Sequence, residues 1–139
     1  MFASTGVKDS LVNLRETGVF AVSIVEEAMF AVMSATSASL PRGVDEFGEA
    51  GVPKAECATI DCARVAGAPA TLECRVLQVI TLKGPGNFMI LGEVTGVHLR
   101  DDCVVNGRFD VTTFHPVARL GYRDYTMVRE VVALDRPDD

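Results

Sequence analysis

The 139-residue chain has no tryptophan, only two histidines, His98 and His115, and an aromatic content of 6%. Its four cysteines, Cys57, Cys62, Cys74 and Cys103, never fall in a C-x-x-C spacing. Zinc sites need ligands clustered at short intervals, so no metal centre is expected. In a reducing compartment the four thiols read as small hydrophobic fillers. Basic residues are scarce: 13 Lys and Arg stand against 19 Asp and Glu, for a net charge of −6. A phosphate backbone attracts cations, so nucleic acid is not an expected partner, although one local basic spot for a small anion is allowed. No long apolar run occurs. The most apolar stretch, Phe20 to Ala35, is interrupted by Glu26 and Glu27, and it is too short and too charged to cross a bilayer. The opening Met-Phe-Ala-Ser-Thr-Gly has neither a basic region nor an apolar one after it, so the expected address is the cytoplasm, with no membrane partner. Walker, G-x-G-x-x-G and Ser-His-Asp patterns are likewise missing.

What is present is a globular composition, 48% hydrophobic and 23% charged, which excludes disorder and fits a single domain over residues 1–139. Val7, Leu11 and Leu14 recur at i, i+4 and i+7 and predict a helix over Lys8–Thr17, closed by Gly18. Val19–Val25 is β-branched and apolar, as a buried strand would be. A second helix is predicted over Glu26–Ala35, with the two glutamates at its positive end, and a helical turn over Asp45–Ala50. Ala70–Leu82 and Phe88–Leu99 predict two long strands joined by the turn-forming Lys83-Gly84-Pro85-Gly86-Asn87. Apolar residues change parity between Val76 and Leu77, which suggests a bulge or a strand end buried on both faces. Gly92 and Gly96 suggest tight curvature. A short turn is expected around Asp110–Phe114, and Met127–Leu134 reads as a last strand or an extended arm.

The segment Ser4-Thr5-Gly6-Val7-Lys8-Asp9-Ser10 is the best candidate for chemistry. Free N–H groups at a helix start, hydroxyl donors and a lysine together can hold one phosphate monoester; the alternative is ordinary capping with a solvated Lys8. His98, on a strand, and His115, in a loop, are better explained by packing and hydrogen bonding than by catalysis. The Met29, Phe30 and Met33 stripe reads as core.

Three stretches, taken in order, carry a resemblance. The first is Phe2-Ala3-Ser4-Thr5-Gly6 followed by Lys8-Asp9-Ser10-Leu11-Val12-Asn13. The second is Met33-Ser34-Ala35-Thr36-Ser37 with Gly43-Val44-Asp45-Glu46-Phe47. The third is Leu72-Glu73-Cys74-Arg75, then Gly92-Glu93-Val94, Arg119-Leu120-Gly121 and Asp124-Tyr125. The chain resembles the flavin reductase-like family of FMN-binding split barrels over residues 2–137. The resemblance implies a mainly β fold with peripheral helices, a split β-barrel of Greek-key topology, and a homodimer with FMN near its interface. It implies that Ser4, Thr5, Lys8 and Ser10 hold the FMN phosphate and that Thr36 lies near the cofactor, while Ser34 stands where relatives usually have Asn. Relatives carry opening strands before the position of Met1, so the barrel is expected to be incomplete at its N-terminus, with exposed strand edges and a weaker hold on FMN.

Two functions follow. One is a flavoprotein that resembles NAD(P)H-dependent flavin reductases, with FMN as cofactor and NADH or NADPH as hydride donor. Hydride transfer needs no acid–base constellation, and no catalytic residue is assigned. The other is a truncated, non-enzymatic dimerisation or binding module without a competent flavin site.

Overall fold

A computed structural model describes residues 1–137. Its centre is the hairpin of β5 (Ala70–Thr81) and β6 (Asn87–Leu99), within a residue of the strands expected from sequence. β1 (Phe2–Thr5) adds to β6, and β2 (Val19–Ser23) to β5, giving a four-stranded antiparallel sheet in the order β1-β6-β5-β2. The sheet is curled into a half-barrel. Two interruptions of the β5–β6 register account for the curl. Val76 pairs with Gly92 and Gln78 with Leu91, so Leu77 is the extra residue of a bulge. Glu73 pairs with Gly96 and Cys74 with Val94, so Thr95 is the extra residue of the second. Each bulge bends its strand and increases the local twist. The parity change in the sequence is therefore a bulge and not two-sided burial: Leu77 is 67% exposed. Gly92 serves close approach, because a Cβ there would sit 2.5 Å from Phe20 Cζ and 3.2 Å from the Arg75 carbonyl oxygen.

α1 (Asp9–Thr17) covers the turn-proximal half of this sheet. Leu11 and Leu14 are buried with Ile90, and Phe2, Phe20, Val76, Val79 and Phe88 pack around them. Gly18, at φ 72°, closes the helix by donating its N–H to the Leu14 carbonyl at 3.0 Å, as its position suggested. Val7 does not join the helix face. It precedes the N-cap Lys8 and is 63% exposed.

Three further departures from the sequence-based expectation have structural causes. The sequence offers Ser4, Thr5 and Gly6 as capping or loop residues ahead of the helix, but Phe2 packs edge-on against Phe20 and Phe2–Thr5 pairs with β6. The helix expected over Glu26–Ala35 is a 3₁₀ turn over Glu27–Met29 followed by α2 (Phe30–Ala35). Glu26 stays extended because its carboxylate accepts both Nη groups of Arg100, at 2.9 and 3.0 Å. A short hairpin, β3 (Lys54–Glu56) and β4 (Ala63–Val65), lies in a stretch with no clear alternation. α3 (Glu46–Glu49) matches the expected turn, and its Asp45 cap accepts the Phe47 N–H at 3.2 Å. Beyond it come β7 (Val104–Val105) paired with β8 (Arg108–Phe109), the expected turn as a 3₁₀ turn over Val111–Thr113, and β9 (Val117–Arg119) paired with β10 (Tyr125–Met127). Val128 to Leu134 form no strand, which leaves the arm.

Polar groups hold the distal half of the sheet. Glu73 is 3% exposed, yet its carboxylate accepts the N–H groups of Ala58 and Thr59, at 3.0 and 2.7 Å, and the Thr59 hydroxyl at 2.8 Å. Thr95 Oγ1 lies 2.7 Å from Thr59 Oγ1. Those donors hold the Glu73 carboxyl below the usual carboxylate range. Arg100 adds a second fastening: besides Glu26 it donates to Asp102 at 2.6 Å and to the Gly67 carbonyl at 2.7 Å. Among the described residues no helix is long and apolar enough to cross a membrane.

Candidate functional site

The segment between β1 and α1 is built by two glycines in the left-handed region. Gly6, at φ 83°, turns the chain out of the sheet, and its N–H donates to the Gly86 carbonyl at 2.7 Å. Gly86, at φ 68°, lies so close that a Cβ there would meet Gly6 Cα at 3.6 Å. The phosphate-type loop is thus fastened to the β5–β6 turn. Lys8 is extended, and its carbonyl accepts the first helical N–H groups, from Leu11 at 3.0 Å and Val12 at 3.1 Å. The N–H groups of Asp9 and Ser10 are left without intrahelical partners, as at any helix start. No side chain caps the helix.

A cleft of about 440 Å³ opens here, lined by Lys8, Asp9 and Ser10 from the helix start, by Thr36 to Leu40 from the loop after α2, and by Glu46 of α3. The structure therefore brings Lys8, Ser10 and Thr36 together, although 25 residues of sequence lie between the last two. It does not bring Ser4 and Thr5 to this cleft. Ser4 Oγ donates to the Gly6 carbonyl at 3.1 Å, which supports the loop from beneath, and Thr5 is exposed at the end of β1. Ser34 is exposed and lines neither this cleft nor the apolar one beside it.

The donors fit an oxyanion. Among the described residues no carboxylate lies within ion-pair distance of the Lys8 ammonium. Among the described residues the Lys8 ammonium and Ser10 hydroxyl make no hydrogen bond. Two other hydroxyls of the cleft are engaged with the backbone, Thr36 Oγ1 with the Met33 carbonyl at 2.8 Å and Ser37 Oγ with the Ser34 carbonyl at 2.7 Å. Asp9 and Glu46 oppose an anion, but Asp9 lies at the positive end of α1, where a carboxylate is itself stabilised. The Lys54 ammonium is taken by Asp45 at 2.6 Å, which holds that carboxyl below its usual range. Lys8 is the cation left for a ligand in this cleft.

Thr36 and Glu46 also border a second, apolar cleft of about 220 Å³, walled by Val25, Met29, Val32, Met33, Phe47, Val52 and Val65. Met29 and Met33, read from sequence as core, are half-buried cleft walls. Sequence reasoning gave no role to Ser37, Ser39, Glu46 or Phe47. The available signal was the hydroxyl-rich run Thr36-Ser37-Ala38-Ser39, which spacing alone could not connect to Lys8. The histidines lie elsewhere. His115 Nδ1 is 3.1 Å from Glu27 Oε2, and Arg129 bonds the same carboxylate. His115 first, then Arg129, lower the Glu27 carboxyl against the opposing cost of its desolvation. Neither His98 nor His115 lines either cleft. No group of three potential metal ligands occurs among the described residues.

A curled antiparallel half-barrel sheet, with a cleft at the start of α1 and an apolar cleft beside it, defines a split-barrel protein. The profile of the flavin reductase like domain matches residues 1–116, and the chain belongs to the flavin reductase-like family. It is 38% identical over 133 residues to an uncharacterized protein of Deinococcus radiodurans, covering 93% of this chain and 58% of that one. Two solved structures share the architecture. Nitrilotriacetate monooxygenase component B from Bacillus cereus superposes with a TM-score of 0.89 at 26% identity, over 95% of this chain and 69% of that one. The 2-nitrobenzoate 2-nitroreductase of Pseudomonas fluorescens gives 0.82 at 27% identity, over 93% and 64%. The chain spans 56 to 64% of the length of the curated relatives it matches.

Proposed function

We propose that the chain binds FMN as a cytoplasmic flavin reductase-like oxidoreductase, with its phosphate held by Lys8, Ser10 and the free N–H groups at the start of α1. The observation that carries this reading is the unpaired Lys8 ammonium beside Ser10 and Thr36 in one cleft. Lys8 supplies charge, Ser10 a directed donor, and the Asp9 and Ser10 amides two more. Ser4 keeps the loop in shape through the Gly6 carbonyl, and Thr5 lies behind it. Thr36 stands at the border of the two clefts, so a ligand anchored at Lys8 has its apolar part beside Met33 and Phe47. FMN held by Lys8 and Ser10 would supply the redox chemistry between NADH or NADPH and an acceptor. The chain's part is to position it, and no side chain of either cleft is required as acid or base.

Titration with FMN and with riboflavin, followed by flavin fluorescence, tests this. FMN should bind, and Lys8→Ala should weaken it by about 1.5–3 kcal/mol, the range for hydrogen bonds to charged groups. Riboflavin, which has no phosphate, should be indifferent to the substitution. No FMN binding at high micromolar concentration, or equal loss for both ligands, would overturn the reading. Oxidation of NADH or NADPH with FMN present tests the donor.

A second reading is a non-enzymatic dimerisation module. It is favoured by Val94, Val97 and Leu99, which leave 49, 57 and 38% of their surface exposed along β6. It predicts a colourless homodimer that oxidises neither nicotinamide.

A further inference from the structure

The end of the β3–β4 hairpin holds two thiols face to face. Glu56 pairs with Ala63, so the next residues outward, Cys57 and Cys62, stand opposite each other. The Cys57 N–H donates to the Cys62 carbonyl at 3.2 Å, which extends the ladder to this pair. Directly opposed residues of an antiparallel pair have Cα atoms about 4.5–5.5 Å apart, inside the roughly 4.4–6.8 Å window of disulfides. Both side chains are on the inner side of the hairpin: Ala55, Cys57, Cys62 and Arg64 are half-buried, while Glu56 and Ala63 are exposed. Both cysteines line one open cleft with Ile60 and Asp61, so a small oxidant can reach them. Both are free thiols here, whereas the other two, Cys74 and Cys103, are buried at 4% and 0% exposure.

We propose that Cys57 and Cys62 form a reversible redox site, closing a disulfide across the hairpin end when a hydroperoxide reaches this cleft. The atoms balance as follows. The Cys57 thiol gives up its proton, and its sulfur attacks the hydroperoxide. An S–O bond forms, the O–O bond breaks, and the leaving alkoxide or hydroxide takes a proton. The Cys62 sulfur then attacks the Cys57 sulfenic acid; an S–S bond forms, the S–O bond breaks, and hydroxide leaves as water with the Cys62 proton. Two thiols lose two electrons, and the hydroperoxide becomes an alcohol, or water, plus one water. The roles follow the surroundings. Cys62 Sγ donates to the Ala63 carbonyl at 3.4 Å, which holds its proton. Arg64, whose buried Nη1 makes no hydrogen bond, favours the Cys57 thiolate. Burial nevertheless pushes both thiols above their ordinary range, so closure is slow at neutral pH and quickens in alkali. The bond would lock the loop whose Ala58 and Thr59 amides hold Glu73.

The test is oxidation of the reduced full chain with hydrogen peroxide, then alkylation and tryptic mass mapping. Residues Ala55 to Arg64 contain both cysteines between tryptic cleavage points at Lys54 and Arg64. The expected result is this peptide lighter by two hydrogens, unalkylated until dithiothreitol is added, with Cys74 and Cys103 still alkylatable after denaturation, and with faster closure as pH rises. In Cys62→Ser the peptide should carry oxygen on Cys57 or stay alkylatable. A peptide that remains fully alkylatable at every pH, sulfinic acid on both residues, or a disulfide to Cys74, Cys103 or a second chain would each overturn the proposal.

Discussion

The two halves of the β5–β6 hairpin are held by different forces. Near the turn, α1 lies on the sheet and Leu11, Leu14 and Ile90 exclude water. Far from the turn the sheet is fastened by directed polar contacts: Glu73 to the Ala58 and Thr59 amides, Ser23 Oγ to Thr71 Oγ1 at 3.0 Å, and the Arg100 cluster. Apolar side chains there, Val94 and Val97 among them, stay half exposed. Burial of hydrocarbon is non-directional and tolerates drift. Buried carboxylates and amides tolerate none, because a lost partner leaves an unsatisfied group. The anion cleft joins the two halves: one wall is the start of α1, from the first, and the other is the loop after α2 with Glu46 of α3.

The sharpest way to break this contrast is truncation on each side. Leu14→Ala should destabilise the chain by about 2–5 kcal/mol, as large-to-small changes in a closed core do. Val97→Ala, at a position 57% exposed, should cost well under half of that; urea denaturation measures both. Equal losses would mean that the distal face is covered in solution. The Lys8→Ala loss of FMN affinity ranks next, and it should leave the urea midpoint unchanged, since the Lys8 side chain makes no hydrogen bond or ion pair among the described residues. Acid distinguishes the halves further. Glu73 and Glu27 both titrate below the ordinary carboxylate value in the folded chain. Each therefore contributes stability that is full above its unfolded pKa and is lost as pH falls through that value towards its lowered folded one. Glu73→Gln should flatten the acid limb of thermal stability, monitored by circular dichroism, while Leu14→Ala shifts the whole profile down without flattening it. The smallest effect is expected for Glu27→Gln, because surface ion pairs contribute little. It should be visible mainly as faster proteolysis of the segment after Met127, which Arg129 ties to Glu27.

The first half was legible in the sequence. Leu11 and Leu14 at helical spacing, Gly18 as a stop, and two apolar runs around Lys83–Asn87 give α1 and the long hairpin almost to the residue. The second half was not. The β3 and β4 strands have three residues each and are held by partners that no local pattern names, such as Ser23 Oγ for the Val65 N–H at 3.4 Å. Glu26 and Glu27 suited a helix start by charge, but Arg100, His115 and Arg129, far along the chain, claimed their carboxylates. For the site, Lys8, Ser10 and Thr36 were named through resemblance and do share a cleft. Ser4 and Thr5 were named with them, but strand pairing keeps their side chains off it. The cleft's other wall, Ser37 to Glu46, needed the fold to be seen.

One guanidinium has a consequence for how the chain is threaded. Arg100 grips Glu26 at one end and the Gly67 carbonyl at the other, so the excursion between them, which includes α2, α3 and the β3–β4 hairpin, is clasped where it leaves the sheet and where it returns, and Glu73 ties it down again at Ala58 and Thr59. A nick placed inside that excursion should leave two pieces that remain joined, whereas cutting the clasp alone, with the chain intact, should let the α2–α3 wall of the cleft shift against the start of α1.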